Sequence, residues 1–248
     1  MRKAIAMGFR LCLPPAAATL LVALSTHAHA APPILARDLM IAVATPALDY
    51  KWRLAPEAAQ PALFARMRGE GDRDFAQARA SAQRDHADGS VRRPYVYRID
   101  WTDMSYQSSR LLALAGRTMQ DTGGAHPNSG YAAMIWDKTT HRTVPFAQMF
   151  TDWPAAQRLL GPVLCEALQR ERAARRQGAK LGGDFDACPK VSEAVLVPWG
   201  DYGAVRAIYS PYVAGPYSEG SYDLKIGLPE TLKPLTRAPY RAALFGAQ

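Results

Sequence analysis

The sequence predicts an α+β protein with antiparallel sheets and helices packed on one side. Three observations predict this class: an alanine-rich helical stretch near the start, a central block that alternates with period two, and one amphipathic helix followed by further alternating runs. Because the helical and extended segments are grouped and do not alternate regularly, the order is typical of α+β chains.

Residues 1–30 have the composition of a secretory signal peptide. A basic start is followed by an apolar run over residues 11–24, which is shorter than the ~20 residues that span a bilayer. Ala28-His29-Ala30 is a small-x-small cleavage site, so the mature chain is expected to begin at Ala31. We therefore expect a periplasmic or secreted protein with no membrane anchor after cleavage.

The composition limits the partners of the mature chain. Cleavage would remove three basic residues and leave 27 basic against 22 acidic residues, a net charge of +5 instead of +8. Such a surface is typical of a soluble protein and is also compatible with anionic cell-wall polymers. Export separates the chain from nucleic acid, so no nucleic-acid partner is expected.

Two of the three cysteines, Cys165 and Cys188, remain in the mature chain, because Cys12 lies in the signal peptide. An even number of cysteines in an oxidising compartment predicts a disulfide, whose loop closure would contribute about 3 kcal/mol of stability. The alternatives are a metal pair, which needs more ligands nearby, and a catalytic thiol, which would have to survive beside a second thiol.

Residues 31–89 are expected to form an N-terminal extended and helical segment of the same folding unit. A strand is predicted over residues 48–53 and a helix over residues 56–68, with a proline suited to its first turn. The Gly-Glu-Gly sequence at residues 69–71 is expected to break this helix, and a second helix follows over residues 72–86.

The predicted main domain, residues 90–230, begins with a change from helical to strand periodicity. Strands are predicted over residues 95–102, 112–119 and 132–136, followed by a hairpin turn at 137–140 that leads to residues 143–146. The short connections indicate an antiparallel meander for this block, not a βαβ alternation.

A helix is predicted after Thr151 or Asp152, one of which caps it, with an apolar face that includes Leu160. Gly161-Pro162 is expected to kink or split this helix, because proline cannot donate to the carbonyl four residues back. Gly178 is expected to end it. Strands are then predicted over residues 194–197, 204–209 and 221–228, and a C-terminal helical tail over residues 231–248.

Two segments have the composition of a binding surface. In residues 122–128, paired glycines that permit positive φ precede an imidazole, and residues 209–222 carry four tyrosines among prolines and glycines. Residues from both segments are candidates for ligand contact: Gly123, Gly124, His126, Asn128, Tyr212 and Tyr217. The alternatives are a tight strand connection and a crossover whose tyrosines cover a sheet edge.

The sequence assigns no catalytic residue, no metal and no cofactor. The mature chain, whose histidines are His86, His126 and His141, contains no HExxH, no CxxC and no closely spaced histidine pair. A glycoside hydrolase would need two carboxylates close in space, and nothing in the spacing selects a pair among Asp100, Asp103, Asp137 and Glu219. A cell-envelope hydrolase with His126 as general acid or base is therefore the alternative to a binding module.

Five short segments, in this order, carry a family resemblance: residues 109–114, 122–128, 136–140, 146–150 and 212–224. Over about residues 90–230 they resemble the extracytoplasmic domain of unknown function shared by the anti-sigma factor RsiV and the peptidoglycan deacetylase PdaC. In RsiV this domain recognises lysozyme. The resemblance therefore implies a lysozyme-like envelope protein or peptidoglycan as partner, and it transfers no catalytic residue.

Overall fold

The computed structural model describes residues 33–90 and 92–246, in which the chain forms two sheets and three α-helices. The predicted signal peptide, including Cys12, lies outside the described residues. The predicted α+β class is confirmed. The large sheet has the order β1 (Met40–Ala44), β2 (Leu48–Leu54), β3 (Tyr95–Gln107), β4 (Leu111–Asp121), β5 (Asn128–Asp137) and β6 (Arg142–Thr143).

The small sheet and the helices complete the described fold. The small sheet has the order β7 (Val195–Pro198), β8 (Ala204–Tyr209) and β9 (Tyr222–Gly227). The helices are α1 (Pro61–Ala87), α2 (Trp153–Arg176) and α3 (Ala238–Phe245). Within residues 33–90 and 92–246, no helix has both the length and the apolar composition needed to cross a bilayer.

Strands β3 to β6 form the predicted antiparallel meander. One pairing was missed: β2 and β3 are parallel, with Leu48 opposite Tyr95 and Leu54 opposite Trp101. Parallel neighbours need a long crossover connection, and α1 supplies it. The chain therefore contains one βαβ unit ahead of the meander.

Helix α1 is continuous through residues 69–71, so the predicted break is wrong. Gly71 lies against β2, where an added Cβ would sit 2.9 Å from the indole of Trp52, and its carbonyl accepts from the buried Tyr50 hydroxyl at 3.2 Å. The glycine costs about 1 kcal/mol of helix propensity. Close packing of α1 on the sheet outweighs that cost. This packing joins separate elements and cannot be predicted from the periodicity of the helix sequence.

Helix α2 is also a single helix, so Gly161-Pro162 does not split it. Pro162 lies on the exposed face, where the carbonyl of Arg158 can bond to water. The carboxylate of Asp152 caps the helix by accepting from the Ala155 amide at 2.9 Å. At the other end the predicted stop at Gly178 is preceded by Gln177, which already has the left-handed φ of 51°.

Two hydrophobic clusters lie on opposite faces of the large sheet. In β4, Leu112 and Leu114 pack in the cluster of α1, whereas Leu111 and Ala113 pack in the cluster that contains α2 and the small sheet. Helix α1 thus covers one face of the large sheet, and α2 covers the buried face of the small sheet. Each sheet therefore has a helix packed on one of its faces, as predicted: α1 on the large sheet and α2 on the small sheet.

Candidate functional site

The two segments that composition singled out meet in space. His126, in the β4–β5 loop, lies against the loop of residues 210–221, which connects β8 to β9. Its imidazole stacks on the ring of Tyr217, with centroids 3.8 Å apart and an interplanar angle of 21°. Its Nε2 atom lies 3.1 Å from the hydroxyl of Tyr212. We call His126, Tyr212 and Tyr217 the aromatic cluster.

The carbonyl of Pro127 is a hydrogen-bond partner of two residues of the aromatic cluster. It accepts from the Tyr217 hydroxyl at 2.6 Å and lies 3.0 Å from Nδ1 of His126. Because a carbonyl can only accept, Nδ1 donates to the Pro127 carbonyl, while Nε2 pairs with the Tyr212 hydroxyl. All polar side-chain atoms of the cluster have a partner, so the three rings are fixed relative to one another.

Tyr212 is the exposed member of the cluster. Its side chain is on the surface (57% relative exposure), and its backbone has a left-handed φ of 72°. For a bulky residue this conformation costs about 1–3 kcal/mol, and such strain concentrates at functional sites. The turn is held because the Tyr212 amide donates to the Gly215 carbonyl at 3.0 Å. An exposed ring in a strained, fixed turn is typical of a ligand-contacting residue.

The other predicted contact residues adjoin the cluster without joining it. Gly123 has the expected positive φ, 97°, but its amide donates to the Asp121 carboxylate at 3.1 Å and is not free to bind an anion. Gly124 and Asn128 are exposed, and Gly124 does not have a positive φ. The structure therefore brings His126, Tyr212 and Tyr217 together. It leaves Gly123 and Gly124 in the adjoining turn and Asn128 at the start of β5.

Helix α2 anchors the 210–221 loop through arginines that the sequence analysis did not single out. Arg172 is buried, at 2% exposure, and donates Nε and Nη2 to the Ala214 carbonyl at 2.9 and 2.7 Å. Its Nη1 donates to the carbonyls of Asp186 and Ala187 in the loop that follows α2. One guanidinium group thus joins two loops to the helix.

Arg176 and Arg175 extend this contact, and with Arg172 we call them the arginine anchor. Arg176 makes a two-pronged pair with Glu219, at 2.7 and 2.9 Å, and a third bond to Asp186 at 2.7 Å. The guanidinium of Arg175 lies 4.1 Å from the ring centroid of Tyr222. It also donates to backbone carbonyls of the 210–221 loop. The arginine anchor therefore fixes the loop that carries Tyr212 to helix α2.

The sequence did hold a signal for the anchor. Leu164 and Leu168 are buried positions of α2, and Arg172 and Arg176 continue that stripe at intervals of four residues. A charged residue on a core-facing stripe needs buried partners, so its position predicts a structural ion pair or carbonyl contact. The sequence predicts two exposed i,i+4 pairs on this helix, Glu166 with Arg170 and Glu171 with Arg175, and both pairs exist.

Cys165 and Cys188 form the predicted disulfide, with Cα atoms 5.4 Å apart. The bond joins the middle of α2 to residues 177–190, the same loop that offers acceptors to Arg172 and Arg176. The disulfide and the arginine anchor therefore hold one region of the chain together.

The arginine anchor makes a pH prediction. The Arg176 guanidinium lowers the pKa of Glu219 below its ordinary value of 4.5, against the opposing effect of burial. Because the folded-state pKa is depressed, the pair stabilises the fold above about pH 4.5, and this contribution is lost as the pH falls through the folded-state value. We expect the difference in free energy of unfolding between wild type and Arg176→Met to shrink between pH 6 and pH 3 in urea titrations. A constant difference would contradict the assignment.

The carboxylates considered for catalysis are engaged in structural contacts. Asp137 is fully buried, pairs with Arg110 at 2.7 Å and accepts the Thr139 amide at 2.9 Å. Asp100, Asp103 and Glu219 each form an ion pair with an arginine. Among the described residues, the polar partners of His126 are the Pro127 carbonyl and the Tyr212 hydroxyl, so no carboxylate is positioned to work with it.

No family model and no curated protein matches the chain. The solved structures that are similar to it include two DUF3298 family proteins. One is a DUF3298 family protein from Pseudomonas aeruginosa, 18% identical, with a TM-score of 0.46 over 68% of this chain and 72% of that one. The other is a DUF3298 family member from Bacteroides fragilis, also 18% identical, with a TM-score of 0.45 over 73% and 71% of the two chains.

Proposed function

We propose that the chain is an exported binding module of the cell envelope, which recognises an envelope protein or a cell-wall glycan through the aromatic cluster. The observation that carries this proposal is Tyr212, an exposed ring on a strained turn that is hydrogen-bonded to His126 and braced by the arginine anchor. Tyrosine offers a large amphipathic contact surface with little side-chain freedom to lose.

Rigidity of the cluster supports binding as its role. A ligand that meets a fixed surface does not have to order side chains or a loop, so less free energy opposes association. In this chain the stack of His126 on Tyr217 and the Glu219–Arg176 pair hold the surface in one arrangement.

The compartment and the family belong to the same proposal. Residues 1–30 have the basic, apolar and small-residue regions of a signal peptide, and the mature chain keeps an even pair of cysteines. The ordered segments between residues 90 and 230 resemble the RsiV and PdaC extracytoplasmic domain, whose lysozyme-binding member suggests the protein ligand to test first.

No geometric observation favours the hydrolase alternative. General acid–base catalysis needs a proton-transferring group and, in most designs, an orienting carboxylate within hydrogen-bond reach. Among the described residues His126 contacts a carbonyl and a phenol instead. The hydrolase remains a prediction of the sequence, and muropeptide release by wild type but not by His126→Ala would establish it.

The binding proposal is tested with Tyr212→Ala. Loss of an exposed aromatic anchor is expected to weaken binding about ten- to thirtyfold. The full-length protein, purified from the envelope of an expressing bacterium, would be assayed against immobilised lysozyme and against insoluble peptidoglycan, two arms that separate protein from glycan recognition.

Tyr202→Ala is the matched control, because Tyr202 is similarly exposed, at 55%, but lies outside the aromatic cluster. It should bind as wild type does. Equal affinity of wild type and Tyr212→Ala, or no binding by wild type in either arm, would contradict the proposal.

A further inference from the structure

A cleft of about 320 Å³ lies between strands β3, β4 and β5 of the large sheet and strands β8 and β9 of the small sheet. Its volume is at the lower end of the range for small-ligand sites, about 300–1,000 Å³. Charged and hydroxyl side chains from both sheets line it: Asp100, Thr102, Asp103, Arg117, Tyr131, Arg206 and Asp223. The cleft is separate from the aromatic cluster.

The small-sheet wall of the cleft is a rigid ion-pair network. Arg206 donates Nε and Nη2 to the two carboxylate oxygens of Asp223, at 2.8 and 2.7 Å, and Nη1 to Asp103 at 2.6 Å. Its side chain is only 11% exposed, whereas that of Asp103 is 50% exposed. Charged groups are therefore held in place at the cleft surface without needing a ligand to neutralise them.

The opposite wall also contains an ion pair. Asp100 pairs with Arg53, accepts from Thr102 at 2.6 Å and lies across the β3–β4 pair from Arg117. The lining holds two guanidinium groups and three carboxylates, and Arg53, which lies outside the lining, pairs with the third carboxylate, Asp100. With that pair counted, the cleft has no net charge to attract an ionic ligand.

The cleft nevertheless has unused hydrogen-bonding capacity. A carboxylate can accept about four hydrogen bonds and a guanidinium can donate five. Asp103 uses one oxygen in its pair with Arg206, and within residues 33–90 and 92–246 no ion pair is recorded for Arg117. These unused donors and acceptors match the alternating hydroxyls of a sugar, which can replace the hydrogen bonds to water that the cleft loses on binding.

Tyr131 connects the cleft to the loop that carries the proposed binding surface. Its ring lines the cleft, and its hydroxyl lies 2.9 Å from that of Ser221, at the end of the 210–221 loop. Pro127, whose carbonyl accepts from the aromatic cluster, lies four residues earlier, directly before β5, a span of about 13 Å in an extended chain. A linear ligand of several units can therefore extend from one site to the other.

We infer that the cleft binds an uncharged sugar unit of a cell-wall glycan, as a second subsite beside the aromatic cluster. The choice of ligand class rests on the proposed envelope-binding function. A protein partner is disfavoured at this point, because an apolar anchor would desolvate paired charges and return no hydrogen bonds.

The tetramer of N-acetylglucosamine, a neutral soluble sugar, is the probe. Titrated into the ¹⁵N-labelled full-length protein, it should shift the amide signals of Ala115, Arg117 and Tyr131. Asp103→Ala should weaken binding about tenfold, because a charge-assisted hydrogen bond is lost. Arg117→Ala should also weaken it, whereas Asp184→Ala, an exposed change outside the cleft, should have no effect. Binding should be equal at 50 and 500 mM salt.

The outcomes separate this inference from the proposed function. Signal changes confined to residues 122–128 and 210–221 would overturn the cleft while supporting the aromatic cluster. Changes confined to the cleft would support this subsite and contradict the role of the cluster. No change at millimolar sugar, binding that salt abolishes, or full affinity in both Asp103→Ala and Arg117→Ala would overturn the inference, whatever the result with lysozyme.

Discussion

Replacement of Arg176 by methionine is expected to lower the free energy of unfolding by about 3–5 kcal/mol, because one partner of a buried ion pair is removed. The side chains of Arg176 and Glu219 are 5% and 15% exposed, so the substitution leaves the Glu219 carboxylate largely without water and without its counter-ion. Asp186 loses the same partner. Urea denaturation at pH 7, followed by circular dichroism, measures the loss.

Arg170→Met is the matched control on the same helix. Arg170 also pairs with a glutamate, Glu166, but the two side chains are 65% and 73% exposed. Exposed pairs contribute about 0–1 kcal/mol, so this substitution should change stability little. Similar losses for the two variants would show that Arg176 contributes no more than an ordinary surface arginine.

A second substitution tests whether the loss comes from the unpaired charge. Glu219→Gln keeps the shape of the side chain and removes its negative charge. In the Arg176→Met background it should restore part of the lost stability, whereas in the wild-type background it should reduce stability. Such opposite signs indicate a coupled pair, because independent sites would give additive effects.

Local patterns predicted most of the secondary structure, because an element with one buried face has apolar residues at a regular spacing in its sequence. The alternation of Tyr222, Leu224 and Ile226 predicted β9, and all three are buried. The break at residues 69–71 was wrong because glycine propensity is local, whereas the contact of Gly71 with Trp52 joins separate elements. The parallel pairing of β2 with β3 is likewise a property of tertiary structure, and no local period reports it.

The candidate site divides in the same way. Composition singled out the turn with His126 and the segment with Tyr212, but these residues are 86 positions apart, and only the fold shows that they meet. The sequence assigned no role to Arg172 and Arg176, and arginine is a residue type that is seldom buried. Both arginines follow Leu164 and Leu168 at intervals of four residues on α2, which places them on its buried face. Burial could have been predicted from this spacing despite the charge of the side chains.

Removal of the disulfide by the double substitution Cys165→Ser and Cys188→Ser is expected to destabilise the protein by about 3 kcal/mol, the loop-closure contribution for a separation of 23 residues. The native contacts add to this effect. Residues 177–190 supply carbonyl acceptors to the buried Arg172, so a freed loop leaves that guanidinium with Ala214 as its main acceptor. Thermal and urea unfolding of the oxidised wild type and of the double variant measure the loss.

Wild type in strong reductant should behave like the double variant, because Cys188 is exposed and the bond is accessible. The reductant should leave the variant itself unchanged. Unaltered stability on reduction would mean that the loop is held without the sulfur–sulfur bond.

Combining the cysteine substitutions with Arg176→Met distinguishes one anchored region from two independent supports. If the disulfide positions Asp186 for Arg176, loss of the bond already weakens that ion pair, so the later loss of Arg176 costs less. The combined variant should therefore lose less stability than the sum of the separate losses. Strict additivity would show that Arg176 holds the 210–221 loop through Glu219 alone, and that the disulfide stabilises the chain only by restricting its unfolded state.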